Sequence, residues 1–110
     1  MVTDTIFYNY QEIVRIIKNN SPKTIIYVQN ILPTEWNIYN TDKPVLDSIY
    51  VLNDKLKMYC AYNNLIYIDL FPHFILDGKL NPKYNCGDNL HLSGAGYIEW
   101  CRLIRDSIYE

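Results

Sequence analysis

The sequence predicts an α/β fold, a parallel sheet with helices on its faces. Three observations carry this prediction. Helical and strand-like segments alternate along the chain as helix, strand, helix, strand, helix, the pattern of βαβ construction. The segment 24–30 is a continuous apolar, β-branched run with no alternation, as in a strand buried on both faces, and 65–69 is a second, shorter buried strand. The helical segment between them has the length of a crossover, and a right-handed crossover sets the two strands side by side.

The elements follow in order. Thr3, Asp4 or Thr5 is placed to cap a first helix. Its inner face is Ile6, Tyr10, Ile13, Val14 and Ile17, at helical spacing. Asn19-Asn20-Ser21-Pro22 ends it, because proline disfavours helix at the residue before it. The first strand, 24–30, leads into a loop over 31–43 that carries Pro33, Trp36 and Asn40. The length of that loop and its tryptophan mark a segment with a role of its own, such as the rim of a cleft. Trp36 suits either a pocket lining or a surface anchor. Pro44 suits a first helical turn, and Val45, Ile49, Leu52, Leu56, Tyr59, Cys60 and Asn63 share one side of a helix over 44–63. Asn63-Asn64 is its C-cap. The second strand, 65–69, is followed by an irregular stretch over 71–87 with a turn at Asp77-Gly78. Ser93 opens the last helix, whose inner face is Tyr97, Trp100, Cys101, Ile104 and Ile108.

A chain of 110 residues, 49% hydrophobic and 20% charged, has the length and composition of one small globular domain. Its net charge of −2, with no run of Lys or Arg, argues against a nucleic-acid partner. The eleven tyrosines lack basic interleaving and read as packing rather than base-stacking platforms. No apolar run approaches the length of a membrane span, and the first residues do not have the pattern of a secretory leader. Cys60, Cys86 and Cys101 are odd in number with no close pair, and Cys60 and Cys101 fall on apolar helix faces. A disulfide framework is not expected, which favours a reducing, cytoplasmic compartment.

The chemistry concentrates in Asp88-Asn89-Leu90-His91-Leu92-Ser93-Gly94-Ala95-Gly96-Tyr97. A carboxylate stands three residues before an imidazole, in a loop just ahead of a helix. An Asp that accepts from His Nδ1–H fixes the tautomer and stabilises the imidazolium formed during reaction. Ser93 suits the helix N-cap, which would clamp the loop. Gly94 and Gly96 permit close packing at the helix start rather than forming a phosphate loop.

The pattern Asp88-x-x-His91-Leu92-Ser93-x-x-Gly96-Tyr97 resembles the last conserved block of the SGNH, or GDSL-type, hydrolases. The segment 21–33 resembles the helix end, strand and loop after that family's third block, and 65–70 resembles its last strand. Asn89 stands where the family usually has Gly. The resemblance covers nearly the whole chain but matches the C-terminal half of such a domain. It implies that 1–110 is the C-terminal part of a single three-layer α/β/α domain with a flavodoxin-like parallel sheet, here two strands and three helices. It implies ester hydrolysis through an acyl-enzyme, with Asp88 and His91 as two members of a Ser-His-Asp triad. The substrate implied is a small ester, such as an acetylated sugar or a lipid-like one, and neither an organic cofactor nor a metal is required.

The family's nucleophile lies in a Gly-Asp-Ser segment, and neither that segment nor the Gly-x-Asn-Asp oxyanion block occurs here. The serines are Ser21, Ser48, Ser93 and Ser107, none preceded by Gly-Asp. If the N-terminal half is missing, the lack of a leader carries no weight. Two strands make a marginal sheet, and the free edge of 24–30 would be apolar. The chain is therefore expected to self-associate or to need an N-terminal complement.

Other readings compete. Asp88 and His91 also suit a hydrogen bond that only caps the last helix. Ser93, two residues from His91, is better explained as a cap than as a nucleophile. Asp69 sits at the carboxyl edge of the sheet, where such folds bind ligands, though a loop-organising hydrogen bond suits it better. Cys86, Asp88 and His91, with His73, are competent metal ligands, but their spacing matches no closed zinc pattern. A non-catalytic binding or assembly module on the same scaffold is the remaining alternative.

Overall fold

The computed structural model describes residues 3–34 and 45–109. Trp36, Asn40 and Pro44 lie outside the described residues, as does most of the expected 31–43 loop. The elements are α1 (Thr3–Asn20), β1 (Tyr27–Gln29), α2 (Val45–Tyr62), β2 (Ile66–Ile68), α3 (Phe71–Phe74), β3 (Ile75–Leu76), β4 (Lys79–Leu80), a 3-10 turn (Pro82–Tyr84) and α4 (Gly94–Ile108). The expected alternation is present. The stretch 71–87, read as irregular, holds a short helix, a hairpin and the 3-10 turn, so the described residues contain more than two strands and three helices.

β1 and β2 pair in parallel, Tyr27 opposite Ile66 and Gln29 opposite Ile68. Each is three residues long, shorter than the expected 24–30 and 65–69. The shortening is physical: among the described residues each has one neighbour, so regular pairing lasts only as far as both run side by side. The pleat sends alternate residues to opposite faces. On one face Ile26, Val28, Leu65 and Tyr67 pack with Leu52, Leu56 and Cys60 of α2 and with Ile6, Phe7 and Tyr10 of α1. On the other, Tyr27 and Ile68 pack with Phe74, Leu80, Tyr84, Leu92 and Trp100, Leu103 and Ile104 of α4. Helices thus cover both faces of the parallel pair.

Three helix assignments are corrected. Thr3, Asp4 and Thr5 all lie inside α1, so none is its cap; Asp4 instead pairs with Lys55 of α2 at 2.7 Å. Ile13 is 57% exposed, and Phe7 takes its place on the inner face, edge-on to Tyr59. On α4 the inward residues are Gly96, Trp100, Leu103 and Ile104, while Tyr97, Cys101 and Ile108 are exposed. The cause is Gly96. A Cβ there would lie 2.7 Å from the Tyr84 carbonyl oxygen and 3.0 Å from the Leu92 Cβ, so the helix start seats on the 3-10 turn with position 96 inward. Gly94 has open space around it and makes no such approach. Gly96→Ala is expected to force these neighbours apart and to cost about 1–3 kcal/mol, as overpacking does. Denaturant unfolding at fixed protein concentration checks this, and an unchanged midpoint would refute the seating.

The expected ends of α1 and α2 are found. Ser21 N–H donates to the Ile17 carbonyl. Asn64 has φ 55, and Leu65 N–H returns to the Cys60 carbonyl, a left-handed C-cap. The Asp77-Gly78 turn joins β3 and β4 with both φ angles positive, the type I′ geometry that suits a two-residue hairpin.

Candidate active site

The carboxyl ends of β1 and β2 are tied together by buried amides. Asn30, 5% exposed, donates through Nδ2 to Asp69 Oδ1 at 2.7 Å and to the Tyr67 hydroxyl at 2.9 Å. Its Oδ1 accepts from Leu70 N–H and Phe71 N–H at 2.9 and 3.1 Å. Asn30 thereby caps α3, whose own N-cap residue, Leu70, supplies no side-chain acceptor. Asp69 has the loop-organising bond expected of it. One step further, the Asn53 amide of α2 brackets Ile31, accepting from its N–H at 2.8 Å and donating to its carbonyl at 2.9 Å. Asn30→Ala would strand the Leu70 and Phe71 N–H groups at the start of α3, each costing about 1–3 kcal/mol. A denaturation midpoint equal to wild type would show that water replaces the amide.

These ties deliver Thr34 to the loop that carries Asp88 and His91. The Thr34 hydroxyl donates to the Asn89 carbonyl at 2.5 Å. The loop is closed across its base by an antiparallel bridge between Asn85 and Leu92 and by Cys86 N–H donating to the His91 carbonyl at 3.0 Å. Inside it, Asn85 Oδ1 accepts from Gly87 N–H and Asn89 N–H, and Asn85 Nδ2 donates to Asn89 Oδ1. Asn89 has φ 61, a conformation that Gly adopts freely and Asn tolerates. That accounts for Asn at a position where the resembled pattern carries Gly.

Asp88 and His91 face each other, with Nδ1 2.5 Å from Oδ2. Asp88 Oδ1 accepts from Leu90 N–H at 2.9 Å, from His91 N–H at 2.8 Å and from the Cys86 thiol at 3.4 Å. The other oxygen is thus left to the ring. The imidazole, then the two backbone N–H groups, hold the Asp88 carboxyl well below the usual carboxylate range. An ionised Asp88 selects the tautomer that carries its proton on Nδ1, which leaves the Nε2 lone pair available as a proton acceptor. The His91 side chain is 65% exposed, so Nε2 is accessible from outside the loop.

Ser93 is committed elsewhere. Its Oγ accepts from Gly96 N–H at 3.2 Å as the N-cap of α4 and donates to the Lys83 carbonyl at 3.0 Å. Ser93 N–H donates to the Tyr84 carbonyl at 2.7 Å. Among the described residues, Cys86, Asp88 and His91 bring donor atoms within 4.8 Å of one another. His73, on the exposed side of α3, does not join them. Asn85, Asn30 and Thr34 are loop-supporting residues that the sequence pattern does not single out. The density of Asn, Gly and Asp over 85–89 signals the tight turns that Asn85 organises, whereas the Thr34 contact spans 55 positions and has no local signal.

A family model described as GDSL-like lipase/acylhydrolase matches residues 2–97. No curated protein matches the chain. Several solved structures share its fold. A GDSL-like lipase from Bacteroides thetaiotaomicron superposes with a TM-score of 0.85 at 24% identity, over 96% of this chain and 52% of its own. A putative acylhydrolase from Bacteroides fragilis gives 0.82 at 26% identity, over 96% and 51%. The esterase domain of the ORF1 protein of a zebrafish retrotransposon gives 0.79 at 22% identity, over 96% and 58%. The chain therefore spans little more than half the length of these proteins. With its α/β elements superposing on theirs, and with most of its length matching the family model, the chain belongs to the GDSL-like lipase/acylhydrolase family.

Proposed function

We propose that this chain supplies the base and its orienting carboxylate to a Ser-His-Asp ester hydrolase. The observation that carries the reading is the Nδ1–Oδ2 contact of 2.5 Å between His91 and Asp88, with the second Asp88 oxygen held by backbone N–H groups and Nε2 left accessible. A serine from outside the 110 residues attacks the ester carbonyl, and His91 Nε2 takes its proton. The tetrahedral intermediate collapses, His91 returns the proton to the departing alcohol, and water repeats the sequence to release the acid. Asp88 stays ionised throughout. The oxyanion donors also come from outside these residues. In this reading 1–110 is the C-terminal part of a single three-layer, flavodoxin-like domain, and the substrate is a small ester, either an acetylated sugar or a lipid-like one.

The test is a fluorophosphonate probe, which labels activated serines, applied to the product of the entire reading frame that encodes this chain. The expected result is labelling of a serine outside 1–110 that His91→Ala abolishes. Absence of labelling would favour a binding or assembly module on the same scaffold. That second reading is supported by the absence of any Gly-Asp-Ser within the 110 residues.

A further inference from the structure

We propose that Cys86, Asp88 and His91 form a site for a borderline divalent cation of the Zn²⁺ class, and that its occupancy switches off His91 as a base. The three donors stand at positions i, i+2 and i+5 of one closed loop, within 4.8 Å of one another. Thiolate, carboxylate and imidazole are all accepted by zinc, and four-coordinate geometry leaves one position for water. The loop holds the three donors together, and a cation entering between Nδ1 and Oδ2 takes the place of the proton they share and moves them apart. The bond between Cys86 N–H and the His91 carbonyl places those two residues opposite each other. Asp88 lies between them, 3.4 Å from the Cys86 sulfur and 2.5 Å from His91 Nδ1. Left-handed backbone at Gly87 and Asn89, together with the Asn85 amide, holds the turn. All three side chains are exposed, so a cation reaches them without opening the fold.

The proton balance defines the consequence. Cys86 loses its thiol proton to solvent and binds as thiolate. His91 Nδ1 gives up the proton it donates to Asp88 and takes the metal, and the ring proton moves to Nε2. One proton is released per cation. Nε2 then carries a hydrogen and has no lone pair with which to accept a proton from a serine. This inhibitory consequence rests on the function proposed above, whereas the binding itself does not.

Titration of the 110-residue chain with Zn²⁺, and separately with Co²⁺, tests the binding. The expected result is one cation per chain, one proton released, and a sulfur-to-cobalt charge-transfer band. Cys86→Ser should remove that band and weaken binding at least about tenfold, and His91→Ala should weaken it by a similar factor. The hydroxyl introduced by Cys86→Ser can still donate to Asp88, so the loop should keep its shape. Cys101→Ser, at an exposed thiol on α4, should bind as wild type does. Equal affinity in the wild type and Cys86→Ser, loss of binding in Cys101→Ser, or no binding at millimolar zinc would each overturn the site. Because these readouts need no ester substrate, they fail independently of the catalytic reading. Inhibition is read separately on the serine-containing enzyme, where zinc should lower fluorophosphonate labelling in the wild type but much less in Cys86→Ser.

Discussion

On the function proposed above, His91→Ala in the product of the entire reading frame is expected to lower kcat on a short acyl ester by ~10⁴-fold or more, with KM little changed. The size follows from the division of labour. Without the imidazole, the serine hydroxyl must lose its proton to water, and the leaving alcohol has no oriented acid. In the proposed enzyme what survives is binding and oxyanion stabilisation by residues other than this pair. Asp88→Asn should come within about tenfold of that loss, since an amide cannot hold Nδ1–H as an anion does and can select the wrong tautomer. It also weakens the loop, because Oδ1 accepts from two backbone N–H groups. Structural collapse is separated from lost chemistry by Ser93→Ala. That change removes the α4 cap, costing about 1 kcal/mol of stability, without touching the pair. A rate for His91→Ala within a few-fold of wild type would show that the Asp88–His91 contact only caps the loop. Burst kinetics that depend on His91 in the 110-residue chain alone would show a nucleophile within it, and Cys86 would then be the residue to substitute next.

The parts of this molecule legible in the sequence are those set by local pattern. α1 and α2 are found because their apolar residues recur at helical spacing and Pro22 and Asn63-Asn64 stop them. The facing of Asp88 and His91 is legible because three residues of separation in a turn bring both side chains to one side. The rotation of α4 is not legible: whether 96 or 97 points inward depends on the close approach of Gly96 to the Tyr84 carbonyl, a contact between elements rather than within one. Periodicity alone puts Cys101 on the inner face, and that seating turns it outward. Strand length is overestimated for a related reason. An apolar run reports burial, whereas regular strand requires a pairing neighbour, and the described residues give β1 only β2. Asn30 is hidden because a buried asparagine is indistinguishable by type from a surface one.

The 110-residue chain is expected to self-associate through the edge of β1 that has no partner strand among the described residues. The ladder defines that edge. Ile66 N–H donates to the Ile26 carbonyl, and Asn30 N–H donates to the Ile68 carbonyl, so the even-numbered residues of β1 bond to β2. In a parallel strand the intervening residues aim their N–H and C=O groups the other way. Tyr27 and Gln29 therefore present an unpaired edge among the described residues, extended by Ile25, which is 68% exposed. Beside α4 the surface is also apolar: Ile98 is 74% exposed, and Trp100, Cys101, Ile104, Ile108 and Tyr109 line a concavity of about 440 Å³. An unprotected edge next to an apolar patch is a template for pairing with another copy. Size-exclusion chromatography over a range of concentrations should show species larger than a monomer. Ile25→Lys, which places a charge at the edge without entering the core, should shift the distribution toward monomer. A sharp monomer peak at every concentration, with a cooperative thermal transition, would mean that the edge is covered from within the chain. In that case no further strand is needed to complete the sheet.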